Sequence, residues 1–102
     1  MKESCRQFLA EQFGGDQDTV EEIYAEYVAS AREKVDELTA AVAAGEWENL
    51  DRLAHTLKGN ALIAGDNDTV EAAIAMRGAA KLKDRAQADS LTARIKGLVA
   101  EL

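Results

Sequence analysis

Apolar residues recur at steps of three and four along most of the chain, a spacing that is typical of amphipathic helices. No segment shows the regular alternation of apolar and polar residues that indicates a strand. The first apolar stripe predicts a short helix over residues 2–13, which ends at the pair Gly14-Gly15. Helix is therefore the expected structure from the start of the chain.

A longer stripe predicts the second helix, which faces the core along its whole length. Asp18, followed three residues later by Glu21, resembles a capping box and is the expected start of this helix. Gly45 is its expected end. The apolar stripe consists of Val20, Ile23, Tyr24, Tyr27, Val28, Ala31, Val35, Leu38 and Val42.

Three more helices follow from the same spacing. They are predicted over residues 46–64, 69–83 and 86–102, and the turn at 66–68 contains a second cap, Asp68. Because the connections are short, neighbouring helices are expected to be antiparallel. The sequence thus predicts an all-α protein: one domain over residues 1–102, an up-down-up-down four-helix bundle with a short N-terminal helix.

Composition restricts the function. The chain of 102 residues contains one Cys and one His, which excludes an internal disulfide, a multi-thiolate zinc site and any mechanism with two histidines. The net charge of −7 disfavours nucleic acid as a partner, because phosphate backbones would be repelled. No run of about 18 apolar residues occurs. We therefore expect a cytoplasmic monomer with no membrane or nucleic-acid partner.

The single histidine, His55, lies in the middle of the third predicted helix. At about 100° per residue, the apolar residues of this helix cluster on one side, and His55 points about 150° away from them. A core role for His55 is therefore disfavoured. The core side is formed by Leu50, Leu53, Ala54, Leu57, Ala61 and Ala64.

Two neighbours of His55 suggest a chemical role for the ring. Gly59 stands inside a helix, where it costs roughly 1 kcal/mol relative to Ala, and its missing side chain leaves the turn around His55 uncovered. Lys58 lies on the adjacent turn, within reach of an anion on the ring. With Arg52 it makes this surface locally basic, although residues 1–60 hold 13 of the 19 acidic residues. An open ring beside a cation suits a phosphoryl group.

The segment from His55 to Gly65 reads HTLKGNALIAG and resembles the motif of histidine phosphotransfer (Hpt) domains, H-x-x-K-G-x-small-x-x-x-G. The resemblance implies that His55 accepts a phosphoryl group from the aspartate of one receiver domain and passes it to another. It also implies that Lys58 stabilises the phosphoryl group and that Gly59 provides steric access. The helical bundle is the architecture that the family implies.

The same resemblance implies the partners: a response-regulator receiver domain and a sensor or hybrid histidine kinase. No cofactor is expected in this chain, and magnesium is expected on the receiver. The chain has no Gly-rich nucleotide loop, so it is expected to be a phosphoryl carrier and not a kinase. Position on the helix adds Asp51, Arg52 and Leu62 as partner-binding residues.

One other interpretation of this helix stays open. The bundle could be a non-catalytic docking module for a receiver or a sensor kinase, although such a module has no need for an open nucleophile beside a lysine.

Glu48 and Asp66 also fall beside the His55 stripe by their helical angle, and Asn60 is a candidate to support the phosphorylated ring. A metal site is disfavoured, because no second His or Cys lies at ligand spacing.

Overall fold

The computed structural model describes residues 1–102 and contains five helices and no strand. The prediction of an all-helical protein is confirmed, with 87% of the residues helical. None of the helices is sufficiently long and apolar to cross a membrane. The helices are α1 (Glu3–Phe13), α2 (Gln17–Ala44), α3 (Trp47–Ala64), α4 (Asn67–Leu82) and α5 (Arg85–Ala100).

The helix ends follow local sequence. Gly45 and Gly65 end α2 and α3 in the left-handed conformation, with φ of 69° and 74°, where a residue with a side chain would be strained. The expected start of α2 is wrong by two residues. Asp16, and not Asp18, is the N-cap, because its carboxylate accepts hydrogen bonds from both the backbone N–H (3.2 Å) and the hydroxyl (2.8 Å) of Thr19.

The core is formed mainly by α2 to α5. All six residues of the predicted core side of α3 are buried, as is most of the α2 stripe, whereas Ile23 and Val28 are half-buried. Small side chains on α4, such as Ala72, Ala73 and Ala79, let it pack closely against its neighbours. A second cluster, in which Cys5 and Leu9 meet the start of α2, attaches α1 to the bundle.

Among the four longer helices, each packs against two of the other three: α2 packs against α3 and α5, and α4 packs against α3 and α5. Two side-chain hydrogen bonds connect residues that are far apart in the chain. Tyr27 in the first half of α2 contacts Asp66 after the end of α3, and the hydroxyl of Tyr24 donates to the carbonyl of Leu102 at 3.3 Å. The molecule is a rod of 43 × 19 × 18 Å.

The location of Asp66 differs from the one expected from the sequence. The sequence places it beside the His55 stripe, but the left-handed Gly65 turns the chain inward, and Asp66 is fully buried as the N-cap residue of α4 in place of Asp68. Its carboxylate accepts hydrogen bonds, each of 2.6 Å, from the Lys2 ammonium and the hydroxyls of Tyr27 and Thr69. Asp66 therefore joins α1, α2 and α4 at one end of the rod.

The pKa values at this end reflect the network. Burial alone would raise the pKa of the Asp66 carboxyl, but the hydrogen bonds from Lys2, Thr69 and Tyr27 and the charge of Lys2 outweigh it and lower that pKa below 3.8. Burial and the hydrogen bond to Asp66 raise the pKa of Tyr27. Asp66 is thus held ionised in the interior by its donors.

Candidate functional site

His55 lies at the midpoint of α3 and is exposed, while its neighbours Leu53, Ala54 and Leu57 are buried on the opposite side. The orientation predicted from the helical stripe is therefore what the structure gives. The exposed ring contacts solvent on the flank of the rod, about equally far from the two ends of α3. A side chain placed in this way is accessible to a large partner.

Gly59 follows His55 by one helical turn and is interior to α3. A Cβ atom added at Gly59 would meet no other atom within 4 Å, so the packing of this chain does not demand glycine there. Gly59 instead leaves the surface bare on the turn that follows the ring. The structure is thus compatible with a role in access, which the sequence suggested.

Lys58 is half-buried, and no ion pair of the structure involves it. Its ammonium group therefore has no carboxylate competing for it. Lysine is the point charge that proteins commonly place next to a phosphoryl group. Lys58 is available for that role beside His55.

Arg77 on α4 is the residue of this site that the sequence analysis missed. Its Nε donates a hydrogen bond of 2.8 Å to Oδ1 of Asp51, and its Nη1 lies 3.2 Å from Nδ1 of His55. The hydrogen bond from Arg77 is the main reason why the pKa of Asp51 lies below 3.8. Arg77 thus links the predicted partner-binding residue Asp51 to the histidine, and it adds a cation to the site.

Two of the residues predicted to bind a partner, Arg52 and Leu62, have exposed side chains. Arg52 is exposed and donates to the side chain of Asn49, and Leu62 has 51% of its surface exposed. Ile74 on α4 is a second exposed apolar residue, 54% exposed, and lies one turn before Arg77. Periodicity along the chain does not select Ile74, because the neighbours of this residue depend on how α4 packs on α3.

Asn60 has a partner outside the site. Its Nδ2 donates a hydrogen bond of 2.9 Å to the hydroxyl of Ser30, which connects α3 to α2. This contact lies off the His55 stripe, as the helical angle of Asn60 indicated. No group of three or more His, Cys, Asp or Glu side chains is arranged to hold a metal ion.

Comparison with known proteins adds one decisive observation. A family model described as Hpt domain matches residues 22–102, which is more than half of the chain and includes the whole of α3, α4 and α5. The chain belongs to the Hpt domain family. Among curated proteins and among solved structures, none matches it.

Membership of the Hpt family establishes the general function, histidine phosphotransfer in a phosphorelay. Hpt domains in general interact with receiver domains and kinases. The matched region begins inside α2, so α1 and the first residues of α2 lie outside it. His55, Lys58, Gly59 and Arg77 all lie within it.

Proposed function

We propose that this Hpt domain accepts a phosphoryl group on His55 from a receiver-domain aspartate and relays it to a second receiver. One observation carries the proposal: the chain contains a single histidine, and that residue is exposed at the midpoint of α3. Histidine phosphotransfer needs a histidine that a partner can reach. No other residue of this chain meets that need.

In the proposed transfer, an imidazole nitrogen with a free lone pair attacks phosphorus, and the bond from phosphorus to the aspartyl oxygen breaks. The donor carboxylate leaves, and a ring proton is released to solvent. Lys58 offsets the charge of the bound phosphoryl group, and Gly59 leaves room for the partner. Since phosphoryl transfer depends mostly on positioning and charge neutralisation, these few groups suffice. We propose that magnesium is held by the receiver and that this chain needs no cofactor.

The partner surface that we propose surrounds His55. Asp51, Arg52 and Leu62 contact the receiver or the sensor or hybrid kinase, and Ile74 extends the apolar part of this surface. Support comes from the exposure of Leu62 and Ile74 on the helices that carry His55 and Arg77. A surface that combines exposed apolar side chains with charged ones suits a transient protein partner. The domain acts in this proposal as a cytoplasmic monomer.

We also propose the topology in which this surface is presented, an up-down-up-down bundle of α2 to α5 within a single domain over residues 1–102. Contacts between opposite ends support alternating directions. Tyr27 in the first half of α2 contacts Asp66 beyond the end of α3, and Asp51 in the first half of α3 contacts Arg77 in the second half of α4. Tyr24 contacts Leu102 at the end of the chain.

The test is phosphoryl transfer from purified phosphorylated receivers encoded in the source genome. The wild type should gain one phosphate that is labile in acid and stable in alkali, and His55→Gln should gain none. Lys96→Gln, which changes an exposed residue of α5, is the control that should be labelled like the wild type. Labelling of His55→Gln would contradict the site.

A second outcome distinguishes the alternative function. A wild type that binds a receiver in solution but accepts no phosphate from any phosphorylated receiver would favour a docking module. In that case His55→Gln should bind the receiver as tightly as the wild type does. Transfer to the wild type, followed by discharge onto a second receiver, would establish the relay.

A further inference from the structure

The contact between Arg77 and His55 specifies where the ring carries its proton. Nη1 of Arg77 lies 3.2 Å from Nδ1 of His55. A guanidinium group has five N–H donors and no acceptor, so Nδ1 must be the acceptor in this contact. Nδ1 therefore uses its lone pair, and the proton of the neutral ring lies on Nε2.

This arrangement leaves the resting ring without a free nucleophilic lone pair. A neutral imidazole has one nitrogen with an in-plane lone pair, and here that lone pair is directed at Arg77. The other nitrogen, Nε2, carries hydrogen. A doubly protonated ring could not accept from Arg77 at all, so the contact exists only with the neutral ring.

A second residue fixes the guanidinium in place. Nε of Arg77 donates to Asp51 at 2.8 Å, and both side chains are about one-third exposed. Because Asp51 precedes His55 by one turn of α3, the two contacts of Arg77 span one helical turn. Arg77 is therefore held against the ring by a charged hydrogen bond and is not a freely moving surface cation.

We infer that Arg77 is a positioning residue that masks the lone pair of His55 in the resting protein, with Asp51 as its anchor. The inference rests on the proposed function, in which His55 is the phosphoryl acceptor. Transfer then requires the bond between Arg77 and Nδ1 to break. The ring proton moves from Nε2 to Nδ1 through solvent, and the lone pair freed on Nε2 attacks phosphorus.

The transfer step needs no reactant other than the aspartyl phosphate and the imidazole ring. The P–O bond of the aspartyl phosphate breaks, the P–N bond to Nε2 forms, and the carboxylate takes the electron pair of the broken bond. Nδ1 keeps its proton or releases it to solvent. The released guanidinium can then donate to the phosphoryl oxygens or to an acidic group of the partner.

Nitrogen NMR of the ring tests the masking directly and needs no phosphoryl transfer. At a pH about two units above the ordinary histidine pKa of about 6.5, the wild type should show the Nε2–H tautomer. Arg77→Gln should lose the strict preference for Nε2–H and shift part of the population toward Nδ1–H, because its amide oxygen can accept a proton from Nδ1 whereas a guanidinium only donates. Arg77→Met, which offers no hydrogen bond, should give a mixture. Arg94→Met, an exposed arginine of α5, is the charge-matched control that should leave the tautomer unchanged.

Reaction with phosphoramidate tests the consequence for reactivity. This small donor transfers its phosphoryl group to imidazole as the P–N bond breaks and ammonia leaves. Arg77→Gln and Arg77→Met should be labelled about three- to tenfold faster than the wild type, since a partly exposed hydrogen bond of ordinary strength to the ring is lost. Asp51→Asn, which removes the anchor but keeps the arginine, should change the rate in the same direction, and Arg94→Met should not change it.

Several outcomes would overturn the inference. A wild-type ring with its proton on Nδ1 would contradict the masking, as would an Arg77→Gln variant labelled no faster than the wild type. Failure of the proposed function is distinguishable from both. If no receiver labels the wild type but Arg77→Gln shifts the tautomer and speeds the phosphoramidate reaction, the masking stands and the relay does not. Circular dichroism of each variant confirms that it is folded, and Asp51→Asn provides the test if the Arg77 variants are not.

Discussion

Phe8 on α1 lies directly against Gly65 at the end of α3. A Cβ atom on Gly65 would stand 2.4 Å from Cβ of Phe8 and 2.6 Å from its Cγ, both closer than side chains approach one another. Gly65 also has φ of +74°. This glycine is the last of the motif that begins at His55, and its requirement is structural: it ends α3 and admits the N-terminal helix.

Replacing Gly65 with alanine should therefore destabilise the domain strongly. The left-handed backbone costs an alanine roughly 1–2 kcal/mol, and the overlap with Phe8 adds about 1–3 kcal/mol. Gly45→Ala is the matched control, because Gly45 has φ of +69° but faces only the flexible end of Arg85 at 3.3 Å. Urea denaturation should give Gly65→Ala the lower free energy of unfolding by at least about 1 kcal/mol. Equal values for the two variants would remove the contact with Phe8 as a cause.

Asp66→Asn should lower stability at neutral pH and make it less sensitive to acid. The pKa of Asp66 is lower in the folded protein than its ordinary value of 3.8, so its ionised form stabilises the fold above that value. This contribution is lost as the pH falls through 3.8 and then through the lower folded pKa. At pH 7 we expect a loss of about 2 kcal/mol, because the partners Lys2 and Tyr27 are left without a carboxylate.

The measurement is the free energy of unfolding from urea titrations at pH 7 and pH 3. The difference between the wild type and Asp66→Asn should be smaller at pH 3 than at pH 7. Asp68→Asn is the control, because Asp68 also pairs with Lys2, at 3.1 Å, but its side chain is 59% exposed. A difference that does not change with pH would show that the charge of Asp66 is unimportant.

Gly59→Leu should separate access from stability. Leucine is the better helix former by up to about 1 kcal/mol, so the melting temperature should stay the same or rise, while the new side chain obstructs the partner at His55. We expect phosphoryl transfer from a receiver to slow by at least about tenfold. Gly97→Leu is the control, since Gly97 is also an unobstructed helical glycine but lies on α5. Equal transfer rates in the two variants would contradict the role of Gly59.

Lys58→Ala should slow transfer or shorten the lifetime of the phosphorylated form without unfolding the domain. Loss of one charged contact to the phosphoryl group corresponds to about a tenfold change. The assay measures phosphate on His55 over time after the donor is removed. Lys96→Ala, at an exposed position of α5, should behave like the wild type. An unchanged transfer rate and an unchanged lifetime of the phosphorylated form would show that Lys58 has no role in phosphoryl transfer.

Helical periodicity was sufficient to predict the all-helical class and several of the helix bounds. The bounds of α3 and the end of α2 were predicted to within one residue, because each is set by a long apolar stripe and a terminal glycine. The start of α2 was wrong because Asp16 and Asp18 both precede suitable partners, and only the contacts with Thr19 distinguish them. The spacing of apolar residues does not indicate which of the two aspartates is the N-cap.

The orientation of side chains was predicted as far as it depends on one helix. The angles around α3 place His55 opposite the core, which the structure bears out. Asp66 was misplaced because its angle was extended past Gly65, where the chain leaves the helix. Arg77 was missed because it is 22 residues from His55, and its contact depends on how α4 is rotated and shifted against α3. The spacing of apolar residues along a helix does not predict which of its residues contact residues of another helix.

The dimensions of the rod limit the kinetics of any relay that uses it. Its width of 18–19 Å is smaller than the diameter of a typical compact domain of about 100 residues, which is roughly 34 Å for a radius of gyration of about 13 Å. In the proposed relay, the only histidine lies on one flank, so the protein can serve a donor or an acceptor at a given moment, but not both. We therefore expect donor and acceptor to compete for this flank, with ping-pong kinetics in which excess unphosphorylated acceptor inhibits loading. Throughput of the proposed relay should then depend on how quickly each partner dissociates.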